Sequence, residues 1–125
     1  MCVFCNRIAS GDVLLESNLS AAFPDGFPVS PGHTLIMPRR HVADYFALDD
    51  AEQLAMWKMV PEVKCLIERE HTPQGYNIGM NIGEAAGQTI GHVHLHVIPR
   101  YSGDVPDARG GIRWVVPAKA PYWER

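Results

Sequence analysis

Three histidines, His92, His94 and His96, lie at alternate positions in one short segment and make up half of the six histidines in the chain. Apolar residues separate them, and this alternation predicts a β-strand. Side chains at i, i+2 and i+4 of a strand project from one face, so the three imidazoles are expected to share a surface while the aliphatic residues enter the core. A neutral imidazole is a competent nucleophile or base near pH 7. The segment is therefore the first candidate for a catalytic site.

The spacing of the row limits what the three histidines can do together. At about 3.3 Å per residue, the α-carbons of His92 and His96 are about 13 Å apart. Zinc holds its nitrogen ligands at about 2.0–2.1 Å, so neighbouring members can share an ion, but all three are not expected to. The row is better suited to a line of contacts with an anion, with one imidazole as nucleophile or base. A metalloenzyme that uses the histidines on an open metal stays an alternative.

The cysteines form a second group with chemical potential. Cys2 and Cys5 have the two-residue spacing of a zinc knuckle, and two buried thiols are the alternative interpretation. Cys65 brings the count to three and is expected in the core, on the apolar face of a helix. An odd count without a visible secretory signal favours a reducing, cytoplasmic setting.

Length and composition restrict the class of protein. A chain of 125 residues with 46% hydrophobic residues is expected to form a single globular domain over residues 1–125. With 11 basic and 14 acidic residues the net charge is −3, which argues against nucleic acid as a partner. No apolar run reaches the roughly 18 residues of a membrane helix, which argues against a membrane partner.

The elements that must position the histidines alternate between strands and one helix. Strand patterns occur in short runs within 13–23, over 34–37, 76–82 and 92–100, and again within 109–117. The first thirty residues are predicted to be strands and turns. A long helix is predicted to begin after Asp49, which forms a capping-box pattern with Glu52. Its predicted apolar stripe comprises residues 54, 57, 60, 63, 66 and 67. This order favours an α+β fold with an antiparallel sheet.

With these segments, the sequence resembles the histidine-triad (HIT) family of nucleotide hydrolases and transferases over nearly its whole length. The resemblance rests on the triad segment 88–99, on the stretch Pro31–Pro38 (PGHTLIMP) and on Asn81-Ile82-Gly83. Arg100 after Pro99, followed by Gly103-Asp104, is more similar to the diadenosine-polyphosphate hydrolase branch than to the phosphoramidase branch. The resemblance implies an antiparallel half-barrel sheet with one long helix and a shorter one.

The resemblance also implies roles for the histidines and for one amide. His94 would attack the α-phosphorus of a nucleotide and form a covalent nucleotidyl-histidine that water later hydrolyses. His96 would contact the phosphate oxygens and stabilise charge in the transition state. His33 would lie behind His94 and orient it, and Gln88 would hydrogen-bond the phosphate or the leaving-group oxygen. A surface histidine and an exposed loop amide are the alternatives for the last two.

Two further residues match nucleotide-binding positions of the family. Asp25 matches an acid or amide placed against the ribose hydroxyls, and a carboxylate accepts two hydroxyl donors well. A turn residue is the alternative, since Asp25 lies in a Pro-Asp-Gly sequence. Asn81 matches an amide that contacts phosphate. No P-loop sequence follows it, and the implied reaction needs no catalytic cofactor.

In some bacterial members the N-terminal cysteine pair belongs to a structural zinc site. The positions that complete the set are occupied here by His41 and His92, so Cys2, Cys5, His41 and His92 are the expected ligands. The first triad histidine would then serve structure rather than chemistry.

The expected function is hydrolysis of dinucleoside polyphosphates or related conjugates at the α-phosphate, with adenine favoured by the resemblance alone. A nucleoside phosphoramidase and a nucleotide-binding regulator with little turnover are the alternatives. The family implies a homodimer. The group Met56, Trp57 and Met59 suggests that the long helix forms the interface. The tail 117–123 is expected to pack across the same two-fold axis and border the partner's pocket.

Overall fold

Five antiparallel strands and two helices form the protein in a computed structural model, which describes residues 2–124. The elements are α1 (Val3–Ser10), β1 (Leu15–Glu16), β2 (Ser20–Pro24), β3 (Thr34–Pro38), α2 (Asp50–Glu68), β4 (Gly75–Gly79) and β5 (Leu95–Arg100). The sheet order is β1-β2-β3-β5-β4, with every neighbouring pair antiparallel. The predicted α+β class, with one long helix and a shorter one, is confirmed.

The alternation around the triad separates a core face from a polar face. Val93, Leu95 and Val97 are completely buried, and they form one cluster with the buried side of α2. The strand β5 begins only at Leu95, not at the predicted His92, so His92 lies in a bend and His94 in the short segment that leads into the strand. The sheet therefore presents His94 and His96 on the face opposite α2.

The start of α2 follows the predicted capping box. The backbone N–H of Glu52 donates to the Asp49 carboxylate at 2.9 Å, and the Glu52 carboxylate accepts from the Asp49 N–H at 3.2 Å. Glu52 is itself buried and accepts two further hydrogen bonds from Arg40, at 2.7 and 3.0 Å. The cap thus also ties the first turn of α2 to the segment that follows β3.

The buried face of α2 differs from the predicted stripe. Met56 and Met59 face the sheet, whereas Leu54 and Trp57 are 54% and 43% exposed. The helix has apolar residues on almost every side, so two overlapping stripes fit its period, and packing against β2 and β3 selects one. The two methionines belong to this chain's own core and do not form the interface predicted for them. Cys65 is exposed, so its predicted place in the core is wrong.

The N-terminal helix was not predicted, because residues 3–10 were expected to form strands and turns. Cys2 is its N-cap, and the Cys2 sulfur accepts the backbone N–H of Cys5 at 3.4 Å. Gly11 ends the helix in the left-handed conformation, with φ of 76°. Phe4 is the residue that α1 buries. It packs against Phe23 on the face of β2 and β3 that lies opposite α2.

The C-terminal segment is not the predicted strand. It forms three short 3₁₀ turns, Gly111–Val115, Pro117–Lys119 and Tyr122–Glu124. Gly110 and Gly111 both have positive φ, which turns the chain away from an extended path. The Arg113 guanidinium then donates to the carbonyls of Lys119 and Ala120, so the segment folds on itself. Among residues 2–124, no helix is both long and apolar enough to cross a membrane.

Candidate active site and candidate metal centre

His94 is held in a single tautomer by the backbone that precedes it. Its Nδ1 lies 2.9 Å from the carbonyl oxygen of His92. A carbonyl only accepts hydrogen bonds, so Nδ1 carries the proton and Nε2 keeps its lone pair. His94 is half-buried and lines a cavity of about 430 Å³. The unprotonated nitrogen is therefore the one available to attack an electrophile.

A second chain of hydrogen bonds gives His96 the opposite tautomer. The backbone N–H of Val29 donates to Nδ1 of His33 at 3.1 Å, so His33 carries its proton on Nε2. That proton faces Nδ1 of His96 at 2.9 Å. His96 accepts there and keeps a proton on its own Nε2. The result is a lone pair on His94 beside an N–H donor on His96, with the two rings 5.0 Å apart.

The prediction that His33 lies behind His94 is wrong, because His33 bonds to His96. The strand register explains the difference. Leu35 pairs with His96 across β3 and β5, so His33, two residues earlier on the same face, lies diagonally opposite His96. The hydrogen bond of His94 is made instead with the carbonyl of His92, a backbone group that no side-chain pattern reveals.

Burial favours the neutral forms of His33 and His96 by lowering the pKa of each. Desolvation, followed by the nearby His94 and His33, lowers the pKa of His96 to about 4 from its ordinary 6.5. Desolvation also lowers the pKa of His33, against the opposing effect of the Asp25 carboxylate 3.4 Å away. Asp25 and His33 therefore make no ion pair near neutral pH, although their separation would allow one. Both histidines therefore offer neutral hydrogen-bond donors and acceptors to a ligand in the cavity.

The low pKa of His96 predicts acid sensitivity. Its folded pKa lies below the unfolded 6.5, so the unfolded state binds more protons between pH 6.5 and about 4, and stability falls as the pH falls through that window. His96→Gln removes the titrating group. Chemical unfolding at pH 7, 5.5 and 4 should show a smaller loss of unfolding free energy in the variant than in wild type. Equal losses would refute the assignment.

Asp25 lies at the rim of the same cavity with its carboxylate fixed by a local turn. One oxygen accepts the backbone N–H of Phe27 at 2.8 Å, and the other is the oxygen near His33. It is thus both a turn residue and a half-buried acceptor facing the cavity. The two interpretations that the sequence left open are compatible.

The loop 81–90 closes the other side of the cavity. Asn81 is exposed there, as a phosphate contact would require. Gln88 also lines the cavity, but its amide braces the loop, accepting from the Gly83 N–H and donating to the Ala43 and Ile90 carbonyls at 2.9–3.0 Å. A contact between Gln88 and a substrate would have to replace some of these bonds.

The four predicted metal ligands come together at the start of the triad. The Nδ1 atoms of His41 and His92 are 3.3 Å apart, and the Cys5 sulfur lies 3.4 and 3.5 Å from them. The Cys2 sulfur is 3.5 Å from Nδ1 of His92. A tetrahedral zinc would place its nitrogens about 3.4 Å apart and a nitrogen and a sulfur about 3.5 Å apart. The donor separations fit the ion without rearrangement.

The surroundings of His92 also fit a metal ligand. The ring is completely buried, and its Nε2 donates to the Pro38 carbonyl at 2.7 Å. This fixes the proton on Nε2 and leaves Nδ1 as a lone pair facing the cluster, the usual arrangement of a histidine ligand. Burial and the neighbouring Cys2 sulfur raise the pKa of the Cys5 thiol, so a bound cation is what would hold the Cys5 sulfur as a thiolate.

A second group of possible ligands, Asp25, His33 and His96, has donor atoms within 4.8 Å of one another. Here Nε2 of His33 donates a hydrogen bond to Nδ1 of His96. The Val29 N–H fixes this direction because it donates to the other nitrogen of His33. Hydrogen bonding accounts for this group. In the Cys/His cluster, Nδ1 of His92 faces two sulfurs and Nδ1 of His41 at 3.3–3.5 Å, which are the separations of ligands around one tetrahedral ion.

The paired histidines at the start of β5, with the cavity above them, are the features expected of the histidine-triad class of proteins. A family model described as HIT domain matches residues 6–103. An adenosine 5'-monophosphoramidase of Schizosaccharomyces pombe is 38% identical over 103 residues, covering 79% of this chain and 74% of that protein. The chain belongs to the HIT family.

Two further relatives are informative about the cavity that His94 lines and about the Cys/His cluster. A bis(5'-nucleosyl)-tetraphosphatase (asymmetrical) of Schizosaccharomyces pombe is 39% identical over 92 residues, covering 74% of this chain and 50% of that protein. The crystal structure of a Zn-bound histidine triad family protein from Mycobacterium smegmatis has a TM-score of 0.73 and 32% identity, covering 94% of this chain and 91% of that one. The family thus includes nucleotide hydrolases and a zinc-bound member.

Proposed function

We propose that this protein hydrolyses or transfers nucleotides by cleaving at the α-phosphate through a covalent intermediate on His94. The observation that carries the proposal is the pair of opposite tautomers. His94 presents an unprotonated Nε2, and His96 keeps an Nε2–H donor, in one cavity. A nucleophile beside a hydrogen-bond donor is what attack at a phosphoryl centre requires.

In the first step Nε2 of His94 forms a bond to the α-phosphorus, and the bond from phosphorus to the leaving oxygen breaks. The electron pair of that bond departs with the leaving group. Because Nδ1 keeps its proton, the adduct is an imidazolium, and the His92 carbonyl 2.9 Å away stabilises its charge. Water then attacks phosphorus, the P–N bond breaks with its electron pair returning to Nε2, and the water loses a proton to solvent.

The surrounding groups hold the nucleotide for this reaction. The N–H of His96 donates to a phosphoryl oxygen as charge develops. The Asp25 carboxylate accepts the ribose hydroxyls, and Asn81 and Gln88 contact the phosphates from the loop above. None of these steps uses a catalytic cofactor.

The proposed substrate class is dinucleoside polyphosphates, supported by the tetraphosphatase relative, and adenine is favoured by the adenosine 5'-monophosphoramidase relative. A phosphoramidase is the second candidate, since one relative is an adenosine 5'-monophosphoramidase and the Nε2–H of His96 can donate a hydrogen bond to a leaving nitrogen as well as to an oxygen. Purified protein should be assayed with diadenosine tetraphosphate and with adenosine 5'-phosphoramidate. We expect kcat/KM to be at least about tenfold higher for the tetraphosphate. The reverse order would replace this class by the phosphoramidase, and no turnover of either would indicate a nucleotide-binding regulator.

We further propose that Cys2, Cys5, His41 and His92 hold a structural zinc ion, supported by the donor separations and by the Zn-bound relative. Turnover that survives a chelator series would exclude a metalloenzyme with an open catalytic ion.

A homodimer is also proposed. The exposed Leu54 and Trp57 of α2 and the exposed apolar residues of the tail support it. Light scattering should give a mass near twice 13.9 kDa, and a monomer at micromolar concentration would refute the dimer.

A further inference from the structure

Phe4 is in contact with the proposed nucleophile, although no role in the reaction falls to it. Its ring is only 5% exposed and lies edge-on to His94, with centroids 5.0 Å apart and planes at 88°. The same ring is edge-on to His92 at 5.7 Å and to Phe23 at 5.4 Å. Edge-to-face geometry is the favoured arrangement for such ring pairs.

The position of Phe4 depends on the metal cluster. Phe4 lies between Cys2 and Cys5 in sequence, and both flanking sulfurs approach Nδ1 of His92 at 3.5 Å. The first turn of α1 is therefore fastened to the segment that carries His94 by the four donors. An eight-residue helix has little stability of its own, so α1 is held by this fastening, by the burial of Phe4 and by the contacts of Arg7 with the Pro24 carbonyl and the Phe23 ring.

One hydrogen bond is not enough to aim the His94 ring. The bond from Nδ1 to the His92 carbonyl fixes one atom, but the imidazole can still tilt about that contact. The His96 ring lies on one side at 5.0 Å and 61°, and Phe4 packs against another. Without Phe4, the remaining contacts leave space into which the ring can rotate, and a displacement of an ångström at a reacting atom is costly in rate.

We propose that Phe4 is a positioning residue through which the cluster of Cys2, Cys5, His41 and His92 holds the His94 imidazole in its reactive orientation. The proposal rests on the proposed function, since it assumes that His94 is the nucleophile. It makes the cluster a brace of the active site and not only of the fold, without any contact between the metal site and the substrate.

The variant that tests this is Phe4→Leu, with two controls. Phe46→Leu makes the same change at a phenylalanine that is 73% exposed and outside the cavity. Met56→Ala lowers stability by emptying part of the core on the other face of the sheet. We expect Phe4→Leu to slow the single-turnover rate with diadenosine tetraphosphate about tenfold to a hundredfold. AMP should bind within about twofold of wild type, and both controls should keep the wild-type rate.

A spectroscopic readout separates positioning from stability. Ring-nitrogen NMR of wild-type protein should show His94 as the pure Nδ1–H tautomer. Removing the metal with a chelator should broaden this signal or mix the tautomers, and added zinc should restore it. Phe4→Leu should show the mixed signal even with zinc bound, while Met56→Ala should not.

If wild type hydrolyses the tetraphosphate and Phe4→Leu keeps both the rate and the pure tautomer, the proposal is wrong and Phe4 only fills the core. If Phe4→Leu does not fold, the wild-type spectra with and without metal decide: an unchanged His94 signal overturns the proposal. If wild type is inactive on every nucleotide, the proposed function fails instead.

Discussion

Replacing His94 by glycine should reduce kcat by at least about a thousandfold while AMP binds nearly as well as to wild type. A nucleophile, the role proposed for His94, acts only along the reaction path. Its loss should therefore remove the covalent route and leave the hydrogen bonds proposed for His96 and Asp25 to the ground-state nucleotide. Initial rates with diadenosine tetraphosphate and calorimetric titration with AMP measure the two quantities separately.

His71→Gly is the matched control for this substitution. His71 is half-buried after α2, outside the cavity that His94 lines and outside the metal cluster. It should keep wild-type kcat. If His94→Gly retained more than a few per cent of wild-type kcat, His94 would not be the nucleophile.

The second large effect is expected at the metal cluster. Protein purified without chelator should contain one zinc per chain, and Cys5→Ser should lose it. A closed four-ligand site contributes binding free energy to folding, so we expect the melting temperature of Cys5→Ser to fall by about 10 °C or more. Elemental analysis and thermal unfolding provide the measurement.

Cys65→Ser is the matched control, because Cys65 is an exposed thiol on α2 outside the cluster. It should keep both the zinc and the melting temperature. Absence of metal from wild type, or a ligand set without Cys2 and Cys5, would end the assignment of this site.

The strand β5 could be predicted from the sequence, because the residue pattern that predicts it is local. Alternation of histidine with Val93, Leu95 and Val97 reports the two faces of the sheet directly, and those three residues are completely buried. The start of α2 is also predicted by a local pattern, since the side chains of Asp49 and Glu52 accept hydrogen bonds from each other's backbone N–H groups within one turn.

The errors occurred where distant residues decide the structure. The helix α1 is only eight residues long, shorter than the window over which helical periodicity is read, and its N-cap is a cysteine held in the cluster with His41 and His92. The sequence does not identify the buried face of α2, because the helix carries its own apolar side chains on almost every side. Packing against the sheet buries Met56 and leaves Trp57 exposed. Propensity and period cannot rank two nearly equal stripes.

The sequence predicts which residues form the candidate site better than it predicts which of them contact one another. All the residues expected around the nucleotide, from Asp25 to His96, line one cavity, and the four metal ligands meet. The pairing of His33 with His96, however, depends on strand register, and the orientation of His94 depends on a backbone carbonyl. The role inferred for Phe4 depends on an unpredicted helix. Side-chain identities carry none of this information.

The covalent intermediate is the claim on which the proposed function stands, and trapping it is the most direct test. Wild-type protein should be mixed with diadenosine tetraphosphate, quenched within one turnover in alkaline denaturant, digested and examined by mass spectrometry. We predict an adenylyl group on the peptide that contains His94, located on that residue by fragmentation and absent from His94→Gly. Turnover with no adduct at any quench time, or an adduct on a different residue, would contradict the mechanism.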